Sequence, residues 1–192
     1  MILEGIVTTI SAAGKTNLTP MGPHFIEGDN RFELRPFETS TTYQNLCENP
    51  CGVLHITDDI SLFALSAINQ LEELPALSRS THINGEVLKD CCRWFEFEAT
   101  ENPTDGPRKS FECRTVHSEQ GARDFYGFNR ARHAILEATI LATRVGLIPQ
   151  QEILIQFATF ETIVNKTGGQ EELRLFDVLQ GFVSGQTSDG RS

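Results

Sequence analysis

The chain has 192 residues, 39% hydrophobic and 22% charged, and its 16 basic against 26 acidic side chains give a formal net charge of −10. A chain of this length buries enough apolar surface to fold without metal or disulfides, and intrinsic disorder is excluded except at the ends. So acidic a chain does not grip nucleic acid or anionic lipid over a broad face, which requires clustered Lys and Arg, so an anionic ligand must be held by a small local set of donors.

Residues Ile2–Ile10 are rich in β-branched side chains and lead through the turn signal Ser11-Ala12-Ala13-Gly14 into Lys15–Met21, which predicts a hairpin. Pro20, Gly22, Pro23, Gly28 and Asp29 break the chain around a short Phe25-Ile26, and Arg31–Phe37 alternates polar and apolar as a strand does. Hydroxyl caps at Ser40–Thr42 open a short helix that Asn49-Pro50 ends. Cys51–Thr57 is a further strand, and Asp58-Asp59 caps a helical stretch over Ile60–Gln70. Trp94–Ala99 and Phe111–Thr115 alternate cleanly around the breaker cluster Asn102–Pro107, as a long hairpin with a polar tip does.

After Gly121 the period changes from 2 to 3.6. Phe128, Ala131, Ile135, Ala138, Ala142 and Val145 form one stripe of a helix expected over about Ala122–Leu147. A second helix follows Pro149 with the stripe Ile153, Phe157, Phe160 and Val164 and stops at Gly168-Gly169; a third carries Leu173, Phe176, Leu179 and Val183. The expectation is an α+β protein, mainly β with a helical C-terminal block: an antiparallel barrel of six strands over 1–120, a helical appendage over 121–184 packed on the barrel or on a partner subunit, and a frayed tail over 185–192.

No apolar run approaches the roughly 20 residues that span a bilayer, and Met1–Gly5 has no basic stretch followed by an apolar core. Cys47, Cys51, Cys91, Cys92 and Cys113 are odd in number and cannot all pair, so a cytoplasmic protein with buried thiols is expected. Cys47-x-x-x-Cys51 and Cys91-Cys92 complete no tetrahedral ligand set, and no metal is expected. Gly14-Lys15-Thr16 resembles the end of a phosphate-binding P-loop, but Thr9 stands where that loop needs glycine, and a hairpin turn fits better.

Two clusters carry candidate chemistry. Arg35, Thr39, Ser40, Thr41, Thr42 and Asn45 combine a permanent cation, consecutive hydroxyls and an opening helix N-terminus, which suits a phosphate monoester and equally suits a simple capping loop. On the long helix, Arg130, His133, Glu137 and Arg144 share one face; they read either as a salt-bridge ladder or as an anion-binding, acid–base face in which Glu137 tunes His133.

At these stretches the sequence resembles a known family. Ile2–Thr9 with Asn17-Leu18-Thr19-Pro20-Met21-Gly22, then Leu34-Arg35-Pro36-Phe37 with Thr39, Thr42-Tyr43 and Asn45-Leu46, and later Phe128–Ala134 with Glu137, Ala138 and Thr143-Arg144, are similar to uncharacterised flavoproteins of the FMN-binding split-barrel, flavin reductase-like superfamily. The resemblance implies a six-stranded split barrel, a homodimer, and one FMN per subunit where the subunits meet. It implies that Asn17, Thr19, Pro20 and Met21 lie near the flavin ring and that Arg35, Thr39, Ser40, Thr41, Thr42 and Asn45 lie near the ribityl phosphate. An FMN-dependent oxidoreductase of unknown substrate is expected, with Arg130, His133 and Glu137 as candidate catalytic groups; the alternative is a non-catalytic flavin-binding or carrier module.

Overall fold

A computed structural model of the chain describes residues 2–125 and 129–185. It divides into two compact units, Met1–Asp58 with Glu73–Phe125, and Asp59–Glu72 with Tyr126–Ser192.

In the first unit β1 (Gly5–Ile10) and β2 (Thr16–Met21) form the expected hairpin, in full register from Gly5 opposite Met21 to Ile10 opposite Thr16. Gly14 sits in its turn at φ +79°, a conformation open to glycine at little cost, so the Gly-Lys-Thr stretch is indeed a turn. β3 (His24–Glu27) and β4 (Arg31–Leu34) follow, then helix α1 (Thr41–Glu48) and β5 (Cys51–Ile56). The long hairpin is β8 (Arg93–Asn102) and β9 (Ser110–Gln120). A short hairpin missed in the sequence, β6 (Leu77–Arg79) and β7 (Glu86–Leu88), pairs with itself alone.

The main sheet is antiparallel in the order β2-β1-β5-β8-β9-β4-β3, seven strands where six were expected. The two edge strands, β2 and β3, are consecutive in the chain and joined by Gly22-Pro23 alone. Were the sheet flat, its edges would stand roughly 29 Å apart, six spacings of about 4.8 Å. A two-residue link spans three Cα steps and reaches only about 10 Å, so the sheet must curl until its edges nearly meet. The core lies inside the curl: Val7, Phe25, Phe32, Leu34, Leu54, Phe95, Phe97, Phe111 and Cys113 come from six strands and meet as one cluster, which Leu46 of α1 joins. Phe25 stacks near Phe32 and Phe95, with centroids 5.4 and 5.8 Å apart. Pro20 is tolerated in β2 because that strand is an edge.

Every residue of β1 is buried, so it shows no polar face. Val7 packs in the curl, while on the other face Thr8 Oγ1 donates to the Glu86 carbonyl of β7 at 2.6 Å. Cys51, Cys91 and Cys113 are buried, as expected, but Cys47 is exposed on α1, on the side away from Thr42, Asn45 and Leu46. All five thiols are free.

The second unit contains α2 (Ile60–Ala67), α3 (Arg130–Ala142), α4 (Gln150–Thr167) and α5 (Gln170–Gly185). Helix α2, read in the sequence as part of the barrel segment, packs on α3 and α5 and donates from Ser61 Oγ to Glu171 at 2.6 Å. Helix α3 begins at Arg130 and not near Ala122, because the Asn129 side chain accepts from the backbone N–H groups of Ala131 (2.8 Å) and Arg132 (3.2 Å) and caps it there. Ala131, Ile135, Ala138, Ile153, Phe157, Val164, Phe176, Leu179 and Val183 are buried as their spacing predicts; Leu173 is exposed, and Leu175 is buried in its stead. Phe128 and most of the expected tail lie outside the described residues. No described helix is long and apolar enough to cross a membrane.

Candidate functional site

The loop that leaves β4 is fixed before α1 begins. Lys109 N–H donates to the Pro36 carbonyl (2.9 Å) and Glu38 N–H to the Pro107 carbonyl (3.0 Å), while the Arg108 guanidinium lies 4.2 Å over the Phe37 ring. The breaker cluster at the hairpin tip thus holds Arg35–Glu38 in place. Ser40 then caps α1 in an extended conformation: its hydroxyl accepts from Tyr43 N–H at 3.2 Å and donates to the Phe37 carbonyl at 2.7 Å. With Tyr43 N–H taken by the cap, the N–H groups of Thr41 and Thr42 lie in the first turn, where a helix supplies no acceptor.

Two sequence-predicted groups, distant in the chain, meet here. Asn17 Nδ2 of β2 lies 3.1 Å from Thr42 Oγ1 and 3.1 Å from Thr19 Oγ1, and Asn45 Nδ2 donates to the buried Thr9 Oγ1 at 3.0 Å. Donation from Asn17 leaves the Thr19 and Thr42 hydroxyl protons free to point onward. Thr42 and Asn45 are buried, Thr39 and Thr41 exposed, and Asn17, Thr19 and Pro20 half-buried. Met21 packs against the core of the curl.

Arg35 is not an idle cation. Its guanidinium pairs with Glu33 at 2.8 Å, holding that carboxyl below the usual carboxylate range, helped by a 2.6 Å hydrogen bond from Ser110. The open depressions of this unit include one of about 480 Å³ lined by Glu101–Asp105 and Lys109 and one of about 610 Å³ around Ile10–Ala12, Glu48 and Asn84. The Asn17–Thr42 cluster lines neither of them.

The second candidate set lies in the helical unit. Arg130, His133 and Glu137 share one face of α3 and border, with Ala134, Phe160 and Ile163, a shallow groove of about 260 Å³ against α4. An ion pair on this helix is made by Arg132, whose Nε is 3.1 Å from Glu172. Burial alone would raise the Glu172 carboxyl, but the Gly169 N–H at 2.9 Å and Arg132 hold it below its ordinary value. Arg144 falls beyond the end of α3, in the turn toward α4.

Three further histidines, His55, His82 and His117, are defined by their contacts. His55 is fully buried on β5, with Nδ1 3.0 Å from the Ile6 carbonyl and Nε2 accepting from Leu88 N–H at 3.0 Å, so it is the neutral Nδ1–H tautomer. Burial pushes its pKa down to about 4, which makes it a structural clamp between β1 and β7. His82 and His117 stack face to face, with ring centroids 4.1 Å apart.

Residues 3–122 match the model of the N-terminal domain of a protein family of unknown function, DUF447, and residues 129–181 match the C-terminal model of the same family. Curated protein sequences contain no match. An FMN-bound protein of Methanosarcina mazei that carries the same family model is similar in structure, with a TM-score of 0.79, 23% identity and 94% of each chain covered. Component B of nitrilotriacetate monooxygenase from Bacillus cereus has a TM-score of 0.53 at 16% identity over 63% of this chain and 71% of that one. Flavoredoxin from Methanosarcina acetivorans has a TM-score of 0.53 at 12% identity, with 63% of this chain and 69% of that chain covered.

Proposed function

The chain belongs to the DUF447 family, and from that premise we propose that it is an FMN-binding flavoprotein of the split-barrel type, with the cofactor phosphate at the start of α1, acting as a flavin-dependent oxidoreductase on a small molecule. The FMN-bound relative and the structurally similar flavoredoxin support the cofactor. The observation that carries the site is the Asn17–Thr42 contact, which brings the β2 segment against the first turn of α1.

This donor set fits a phosphate monoester. Thr41 and Thr42 offer backbone N–H groups at the positive end of a helix dipole; Thr39, Thr41 and Thr42 offer hydroxyls, and Arg35 a permanent charge. Asn45, tied to Thr9, holds the helix at its depth. Asn17, Thr19, Pro20 and Met21 form the ring side, where the half-buried Asn17 and Thr19 orient polar edges and Met21 supplies an apolar surface. When bound, FMN supplies the two-electron chemistry; the chain's part is to bind it, orient it and limit water. Arg130, His133 and Glu137 are the groups we assign to the substrate side. We read the protein as a cytoplasmic homodimer with the flavin where the subunits meet, as the split-barrel resemblance implies.

Anaerobic mixing of the FMN-loaded protein with NADH or NADPH tests the activity. Rapid loss of flavin absorbance, restored by oxygen, is the expected result. Tightly bound flavin that neither donor bleaches would favour a carrier module instead.

A further inference from the structure

The face of β8 turned away from the core carries a second group of side chains, used by neither the flavin reading nor any sequence motif. His82 lies in the connection between β6 and β7, Glu96 on β8 and His117 on β9, and one donor atom from each falls within 4.8 Å of the others. We propose that His82, Glu96 and His117 bind a divalent transition-metal ion of the Zn2+ type, through two imidazole nitrogens and one carboxylate oxygen, with water completing the coordination.

Strand register builds this group. Phe95 and Phe97 face the core, so Glu96 between them faces the other way. On β9, Phe111 and Cys113 face the core, and uninterrupted alternation would send His117 to the same side. The pairing slips between Glu96 and Phe97: Glu96 is opposite His117 but Phe97 is opposite Thr115, leaving Val116 as the extra residue of a β-bulge. That one residue turns His117 over to the side of Glu96.

The carboxylate is held in advance. Glu96 is 2% exposed, and its Oε2 accepts from Ser80 Oγ at 2.5 Å and from His82 N–H at 3.0 Å, with His82 Nδ1 3.4 Å away. Burying a carboxylate is costly without a cation, and among the described residues the one ion-pair partner of Glu96 is His82. A structural anchor for the loop needs only Ser80 and the His82 amide. It leaves unexplained why two imidazoles gather at the same carboxylate, each with a further polar neighbour: Thr81 Oγ1 2.9 Å from His82 Nδ1, and Glu119 Oε2 3.5 Å from His117 Nε2. Tetrahedral donors at bonds of about 2.1 Å stand about 3.4 Å apart. Turning the stacked rings edge-on toward one ion draws the three atoms in from their present spacing. Half of the His82 ring is exposed, which leaves the site open to ion and water from one side.

The test uses the full chain without a histidine tag, stripped by chelator and titrated with Co2+, then with Zn2+ in competition. The expected result is one Co2+ per chain with visible d–d absorption, displaced by Zn2+. His82→Ala and His117→Ala should each weaken binding at least about tenfold, since loss of outer-shell partners alone costs that much. His82→Ala alters an exposed loop side chain and keeps the test valid if His117→Ala fails to fold, which circular dichroism would reveal. Absence of stoichiometric binding, or binding that His82→Ala leaves unchanged, would overturn the proposal.

Discussion

Arg35 serves two partners in this account. Its pairing with Glu33 means that a phosphate must share the guanidinium with a carboxylate already in place. Arg35→Ala therefore removes a charge-assisted contact and also exposes the phosphate to Glu33; FMN affinity should drop about tenfold or more while riboflavin affinity changes little, as measured by flavin fluorescence. His55 yields a prediction about pH. Its pKa is about 4 in the folded chain against an ordinary 6.5, so between these values the unfolded chain binds the extra proton. Stability should fall as pH drops below 6.5, by about 2 kcal/mol at pH 5 and about 3 kcal/mol in all, and level off below pH 4 as far as this group is concerned. Urea unfolding at each pH reads the slope, and a His55→Gln variant should lack most of it. At this scale the sequence was half legible: a run of hydroxyls beside an arginine is visible in composition, but the contact of Asn17 with Thr42 spans 25 residues and exists only once β2 and α1 are folded. His82, Glu96 and His117 have no motif spacing, because a loop and a bulge bring them together.

Elements were read best where a period had room to repeat. Helix α4, most of α5 and the β8–β9 hairpin up to its bulge follow their stripes and alternations, whereas β6 and β7, three residues each, are too short for any period to emerge. β1 escaped strict alternation because both of its faces are covered, by the core on one side and β7 on the other. The seventh strand came from β3, of which only Phe25-Ile26 was visible between breakers. The start of α3 was misread because the apolar stripe continues past a cap that only the Asn129 hydrogen bonds define. Asn129→Ala should accordingly destabilise the helical unit by about 1 kcal/mol, seen as a lower urea midpoint by circular dichroism. Unchanged stability would mean that the cap is replaced by water at no cost.

At the scale of the molecule, the proposed site would reconcile a net charge of −10 with a dianionic ligand by locality: one shared arginine, two helix-end amides and several hydroxyls in place of a basic face. The edges of the sheet almost meet because two residues join them, and the start of β2 meets α1 where Asn17 contacts Thr42. The proposed dimer predicts a mass in light scattering of twice the 21.4 kDa chain; a monomer that binds FMN tightly would rule out a flavin shared between subunits. The most direct test of the central claim is a parallel fluorescence titration of the purified protein with FMN and with riboflavin. Saturable quenching of FMN at one flavin per chain is expected, with riboflavin bound at least about tenfold more weakly for want of the phosphate; no binding of FMN, or equal affinity for the two flavins, would refute a phosphate site at the start of α1.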